Sequence, residues 1–444
     1  MKKINSQIKV FAVFCFLLLL SSCAPKTETN NNPAAQTSVE DADSIRVSAL
    51  DTNAAEPAIA ADASGNVYVV YVEHGADKSA DIYLQKFDAD AKSSGGRTRV
   101  NPEKGQVKAW FGDAPTIKIA ADGCIFIGWT AKAAGAEKQG ASVLNLSVSA
   151  DGGKSFAAPV KVNDDVAPAA HGMHSLAIDR DNRVFMAWLD ERNLKAEKTA
   201  FNRKNANSAD FQIVEIHHHS NQDEKAEPNS EVFFAVSADG GKTFSANKKL
   251  SSEVCPCCKT SIINAPDGKI FVSWRQVLEG DFRHIAVAAS ADGGQTFANR
   301  TIVSDDKWTI NACPVSGASM TSGEENSLKI VWYTAGEAGK PGLYYAESRD
   351  GGKTFSPRAL ISAETVTGTS TILNEPGKNA RIVFSEANNQ IVIGSAENSA
   401  GNFSVRQTIN RATLPAAAFA GEKLFVAFVR ESEEKQGVWL YREK

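Results

Sequence analysis

The 444-residue chain has no surplus of positive charge: 48 Lys and Arg stand against 52 Asp and Glu, a formal net charge of −4. Binding nucleic acid through its phosphates needs cations in excess, so that class is excluded. Glycine (32 residues) and proline (15) are too few for a collagen-like or low-complexity chain. Beyond the first twenty residues there is no apolar run long enough to span a bilayer. No Cys-x-x-Cys pair stands alone in the manner of a thiol oxidoreductase. What the chain does have is 43% hydrophobic and 8% aromatic residues, enough for a large core. At roughly 150 residues per domain, length alone predicts about three domains; the repeats described below replace that number with one.

The N-terminus reads as an address. Lys2, Lys3 and Lys9 precede an apolar run of eleven residues, Val10 to Leu20. About 20 residues are needed to span a membrane, so residues 1–22 read as a signal peptide. The run ends in Leu20-Ser21-Ser22-Cys23, which resembles a bacterial lipobox. The resemblance implies that Cys23 becomes the first mature residue and carries lipid, so that the protein meets the membrane through an N-terminal anchor. Residues 23–43 are polar and suit a flexible tether. The expected location is extracytoplasmic and lipid-anchored to the cell envelope, at the outer membrane in a Gram-negative cell.

The body is one unit repeated. Ser149-Ala-Asp151-Gly-Gly-Lys-Ser-Phe156 recurs from Ser237, Ser290 and Ser348, each time with Asp at the third place and Phe at the eighth. Such a segment makes a tight turn: Asp accepts hydrogen bonds from the turn backbone, Gly takes positive φ, and the aromatic ring packs beneath. The four copies resemble the Asp-box (BNR) repeat of the sialidase superfamily of β-propellers. A second pattern, an apolar strand, a polar turn and an apolar strand ending in an aromatic residue, occurs seven times, ending at Tyr71, Trp129, Trp188, Trp274, Trp332, Phe384 and Phe428. The expected fold is therefore all-β: a seven-bladed β-propeller over residues 44–444, with the six-bladed sialidase fold as the alternative. Only one strand, Val438–Arg442, follows the last pattern, so Ile45–Leu50 is expected to pair with it and close the ring. The spacing of 86 residues between Trp188 and Trp274 marks an insert, about Leu194 to Ser230, that carries His217, His218 and His219.

In such a fold the Asp-box turns lie on one face and the connections into each innermost strand lie on the other. His171, His174, the Cys255-Pro-Cys257-Cys258-Lys259 cluster and Cys313 all fall in or near entering connections of three consecutive blades, so they are expected to converge at the channel mouth. Three chemistries compete there. Thiolates with imidazoles suit a soft metal, copper or zinc, with ligands drawn from Cys257, Cys258, Cys313, His171 and His174, and Cys255 as ligand or bridge partner. Exported thiols also pair as disulfides. A reactive cysteine beside Lys259 is the third reading. With Cys15 in the signal segment and Cys23 lipidated, five of seven cysteines remain, an odd number; Cys124 sits in an apolar run and reads as a buried small hydrophobe.

The superfamily resemblance also implies glycan chemistry. Active sialidases carry an Arg-Ile-Pro motif whose arginine helps to clamp a carboxylate; here the matching stretch is Ala55-Glu56-Pro57, with Glu56 in the arginine's place. Arg192, Arg275 and Arg430 follow predicted strands on the mouth face and are the candidate anion clamp, with Tyr333 a candidate rim tyrosine. The functional expectations are thus a metal-binding envelope propeller, an exo-α-sialidase or related glycoside hydrolase with a glycan partner, or a non-catalytic scaffold.

Overall fold

The computed structural model describes residues 43–133, 140–194, 229–309, 315–323, 327–375, 380–396, 402–432 and 435–444, and the backbone of Thr37–Val39. The signal segment, Cys23, Cys313 and His217–His219 lie outside the described residues. Two short strands come first, β1 (Thr37–Val39) and β2 (Ser44–Arg46). Among the described residues, the strands that follow group into consecutive four-stranded antiparallel units. Blade 1 is β3 (Asn53–Ala61), β4 (Val67–His74), β5 (Ala80–Phe87) and β6 (Thr98–Arg99). Blade 2 is β7 (Thr116–Ile119), β8 (Ile125–Lys132), β9 (Ser142–Ser149) and β10 (Val160–Lys161). Blade 3 is β11 (His171–Ile178), β12 (Val184–Asp190), β13 (Ser230–Ser237) and β14 (Lys248–Val254). Blade 4 is β15 (Ser261–Asn264), β16 (Ile270–Leu278), β17 (Phe282–Ser290) and β18 (Thr301–Ile302). Blade 5 is β19 (Ser319–Ser322), β20 (Leu328–Thr334), β21 (Gly342–Ser348) and β22 (Ala359–Ser362). Blade 6 is β23 (Val366–Asn374), β24 (Ala380–Glu386), β25 (Gln390–Ala396) and β26 (Phe403–Asn410). Blade 7 is β27 (Thr413–Ala420), β28 (Lys423–Ser432) and β29 (Lys435–Arg442), completed from the N-terminal side by β2.

The ring closes twice over. The innermost strands touch in the cycle β3, β7, β11, β15, β19, β23, β27 and back to β3. On the outside, β2 pairs antiparallel with β29, Ser44 opposite Tyr441 and Arg46 opposite Trp439. That seam removes the open edge that β29 would otherwise present. The segment expected to be a tether contributes structure as well: β1 pairs parallel with β26, Thr37 opposite Gln407.

The aromatic residue near the end of each second strand explains the blade packing. Tyr71, Trp129, Trp188, Trp274, Trp332, Phe384 and Phe428 are all at most 1% exposed. They stand in the hydrophobic clusters from which the core is built. An aromatic side chain removes about 150–250 Å² from water, so one per blade supplies a large share of the driving force.

The repeated Ser-x-Asp-Gly-Gly turns join the third and fourth strands of blades 2 to 5. In blade 3, Asp239 Oδ1 accepts from the amides of Lys242 (3.0 Å) and Thr243 (2.9 Å), and its Oδ2 accepts from Thr243 Oγ1 at 2.6 Å. Ser237 Oγ donates to the same carboxylate and accepts from the Gly241 amide. Gly240 and Gly241 take φ of 73° and 83°, which a residue with a Cβ adopts only under strain. Every polar atom of the motif serves the turn. Its aromatic ends, Phe156, Phe244, Phe297 and Phe355, pack against four separate core clusters.

Candidate functional site: a thiol cluster at the entry to blade 4

Antiparallel meanders put the third-to-fourth-strand turns at one end and the connections between blades at the other. The segment from Cys255 to Thr260 is the connection from β14 into β15, at the end opposite the Ser-x-Asp turns. Its position is set by β16. Val254 pairs with Gln276, which joins blades 3 and 4 into one continuous sheet. The Cys255 amide donates to Arg275 O at 2.9 Å. The Gln276 carboxamide locks the approach: its Nε2 donates to Ser252 O and Glu253 O, and its Oε1 accepts from Ser251 Oγ and Trp274 Nε1.

From there the segment is held by its neighbours. Lys259 Nζ donates to Ala114 O of the blade 2 entry at 2.8 Å. The Thr260 amide donates to Met173 O, and its hydroxyl lies 3.0 Å from both Met173 O and Ala187 O. On the blade 5 side, the backbone of Lys259 passes so close to Gly317 that a Cβ there would sit 2.2 Å from Lys259 O. Cys255 and Cys258 belong to the same apolar cluster as Met173 and Val315, with Trp110, Phe111 and Cys257 packed against it. Entry segments of blades 2, 3, 4 and 5 therefore meet here.

The three sulfurs converge. The Sγ atoms of Cys255, Cys257 and Cys258 all lie within 4.8 Å of one another. Cys255 Sγ and Cys257 Sγ are 3.5 Å apart, in contact but well beyond the 2.05 Å of a disulfide. Cys255 and Cys258 are buried, while Cys257 is partly exposed. Two guanidinium groups face the cluster. Arg275 Nε donates to Cys258 Sγ at 3.3 Å. Arg283 stands opposite Val277 in the β16–β17 pair; burial lowers its pKa, but the nearby Cys255 and Asp281 outweigh that and leave it raised.

The histidines sit elsewhere than expected. They are not in the connection entering blade 3 but inside β11, which begins at His171. His171 Nδ1 donates to Ser142 O at 2.6 Å, and its Nε2 lies 3.1 Å from Asp165 Oδ1 and 3.5 Å from Asp190 Oδ2. Its Nε2 faces those carboxylates without forming a hydrogen bond. His174 is fully buried, with Nδ1 3.1 Å from Asp113 Oδ1; its Nε2 has no hydrogen-bond partner. Among the described residues the group able to surround one ion is the three cysteines, and neither histidine joins it. Asp113 also accepts from Thr130 Oγ1. Burial raises its pKa, but the hydrogen bond and charge of His174, with the charge of Lys259, outweigh that and leave it lowered. Burial in turn pulls the Lys259 ammonium down to about 8, against the opposing pull of Asp113.

The candidate anion clamp is internal structure. Arg275 is wholly buried; beyond Cys258 it donates to Ser316 O at 3.0 Å and Tyr333 O at 2.9 Å, and it stacks 4.7 Å from the Trp308 ring. Arg192 pairs with Asp190 and Asp164, donates to Asn247 Oδ1, and lies over Phe233. Arg430 is buried at the ring seam, bonded to Ser44 Oγ and lying over Phe428 and Trp439. Their recorded partners belong to three separate places, so the structure does not gather them around one carboxylate. Tyr333 is buried edge-on to Trp308 rather than on a rim. Cys124 is half-buried beside Asp122, whose amide neighbour it is, and stands away from the cluster.

Sequence reasoning missed two features. One is the bond from Arg275, expected in an anion clamp, to the Cys258 sulfur. The other is Glu56, buried with φ of 49°, whose Oε2 lies 2.6 Å from His74 Nε2.

No family model matches the sequence, and no curated protein matches it. Solved structures do share its fold. A lectin from Burkholderia pseudomallei is 12% identical, with 88% of this chain and 96% of the lectin covered at a TM-score of 0.57. A polysaccharide lyase is 11% identical, with 92% and 94% covered at 0.54. The NanB sialidase of Streptococcus pneumoniae is 11% identical, with 90% and 94% covered at 0.50. At these identities the likeness is one of fold: the chain is an all-β propeller of the architecture found in sialidases and polysaccharide lyases.

Proposed function

We propose that this chain is a cell-envelope lipoprotein whose sialidase-like propeller presents a thiolate site for one soft metal ion, copper or zinc. The observation that carries the reading is the convergence of three sulfurs, Cys255, Cys257 and Cys258, within 4.8 Å of one another. Thiolates select Cu(I) and Zn(II) over harder ions. The lipobox-like Leu20-Ser21-Ser22-Cys23 supports the anchor and, with it, an extracytoplasmic location. Membership of the Asp-box group is supported by the four Ser-x-Asp-Gly-Gly turns and their shared hydrogen bonds. The metal reading is preferred to an exo-α-sialidase because Arg192, Arg275 and Arg430 are committed to internal partners. It is preferred to a bare scaffold because a scaffold has no use for clustered thiols.

The test is elemental analysis with thiol counting on protein isolated from an envelope fraction and reduced. One equivalent of copper or zinc is expected, lost in Cys257→Ser and Cys258→Ser. Reduced, fully counted thiols that take up neither metal would refute the reading.

A further inference from the structure

The geometry points to a second activity of this cluster, thiol–disulfide exchange in which Cys257 attacks a small-molecule or protein disulfide and Cys255 resolves the mixed disulfide. The inference deepens the metal-site reading and rests on the same three sulfurs, but it assigns them different tasks.

Exposure decides the attacker. Along Cys255–Cys258 the residues are buried, buried, half-buried, buried, so of the three sulfurs only that of Cys257 belongs to a residue open to solvent. A disulfide arriving from solvent therefore meets Cys257 first. Contact decides the resolver. Cys255 Sγ is 3.5 Å from Cys257 Sγ, already in contact with the atom it would attack. Cys258 is fully buried, its sulfur accepting from Arg275 Nε at 3.3 Å, and is assigned no part in the exchange.

The chemistry balances. Cys257 gives up its proton and attacks one sulfur of the disulfide R–S–S–R; that S–S bond breaks, one thiol leaves, and a Cys257–S–S–R bond forms. Cys255 gives up its proton and attacks Cys257 Sγ, expelling the second thiol. Two protein thiols are oxidised by two electrons and the incoming disulfide is reduced to two thiols. Because the product bridge consumes two of the three metal-binding sulfurs, exchange and metal binding exclude each other.

The experiment uses the full chain, reduced and freed of metal, with oxidised glutathione as the probe, followed by alkylation and peptide mapping. The expected products are a Cys255–Cys257 bridge and two glutathione thiols per protein. Cys255→Ser should stop at a glutathione adduct on Cys257, and Cys257→Ser should react at least about tenfold more slowly, both with an unchanged circular dichroism spectrum. A bridge that maps to Cys313, an adduct on Cys258, or a reaction of the cluster no faster than that of Cys124 overturns the assignment. Metal uptake is measured separately on the reduced protein. Exchange without metal uptake sinks only the metal reading; metal uptake without exchange sinks only this one.

Discussion

Replacing Arg275 with alanine separates a structural arginine from one that waits for a ligand. The side chain donates to Ser316 O, Tyr333 O and Cys258 Sγ, and its guanidinium lies 4.7 Å from the Trp308 ring centre. With the donor gone, two buried carbonyls lose their partner, at about 1–3 kcal/mol each. The lost cation–π contact adds about 0.5–2 kcal/mol. Relief of a buried charge offsets part of this, leaving about 4 kcal/mol. Unfolding entropy near 60 °C is about 2.1 cal/mol/K per residue, so for a propeller of about 400 residues each kcal/mol moves the midpoint by little more than about 1 °C. Arg275→Ala should therefore lower the thermal midpoint by about 5 °C in differential scanning calorimetry. Arg349→Ala is the control: its side chain is 73% exposed and paired only with Glu347, and exposed pairs of this kind contribute well under about 1 kcal/mol. A ligand-clamping arginine on an open face would behave like the control. If the two variants melt within about 1 °C of each other, the structural assignment of Arg275 is wrong.

Two further outcomes follow from titrating groups. Burial pulls the His74 imidazolium down, but the hydrogen bond and charge of Glu56 outweigh it and the pKa stands above its ordinary 6.5. A raised pKa stabilises the fold below about pH 6.5 and the gain is lost as pH rises through the folded value; the thermal midpoint should fall across that window, and Glu56→Gln should flatten the fall. An unchanged slope in the variant would show that the dyad is not its source. Asp350 is held at about 2, first by the Thr354 hydroxyl and then by the Thr354 amide; its stabilisation is complete above about pH 4 and lost as pH falls toward 2. Asp350→Ala should speed hydrogen exchange of the Lys353 and Thr354 amides at neutral pH by about tenfold or more, and equal rates would dismiss the carboxylate as the organiser of that turn.

The architecture was legible because it repeats. An aromatic residue at the end of each second strand, and the Ser-x-Asp-Gly-Gly turn, are local devices whose physics survives without tertiary information. The seam between Ile45 and Leu440 was legible for the same reason, since an unpaired last blade demands a partner. The site was only partly legible. Cys255, Cys257 and Cys258 are near in sequence, so their convergence needed only a bent connection. The histidines and arginines failed differently. His171 and His174 were read as loop residues, but β11 begins at His171 and carries both into the sheet. Arg275 was read as following its strand, yet β16 continues to Leu278 and places it in mid-strand, against Trp308 of the connection from blade 4 to blade 5. A strand's end depends on what its neighbour offers, and the pairing of Val254 with Gln276 is a long-range event that no local pattern announces.

The register of the innermost strands divides the blades into two groups. In blades 1, 2 and 7, Ala58, Thr116 and Ala416 pair one residue before the blade's aromatic, and each is preceded by proline: Pro57, Pro115 and Pro415. Ser175 and Ser261 hold the same place in blades 3 and 4, paired with Ala187 and Ser273, but His174 and Thr260 precede them. Proline offers no N–H to its neighbours. Thr260 does, and its amide and hydroxyl tie blade 4 to Met173 and Ala187 of blade 3; His174 ties blade 3 to Asp113 of blade 2. Blades 5 and 6 lack the proline as well, with Ala318 before Ser319 and Ser370 before Thr371, so the departure runs through blades 3 to 6 and the sulfurs stand between the first two of them.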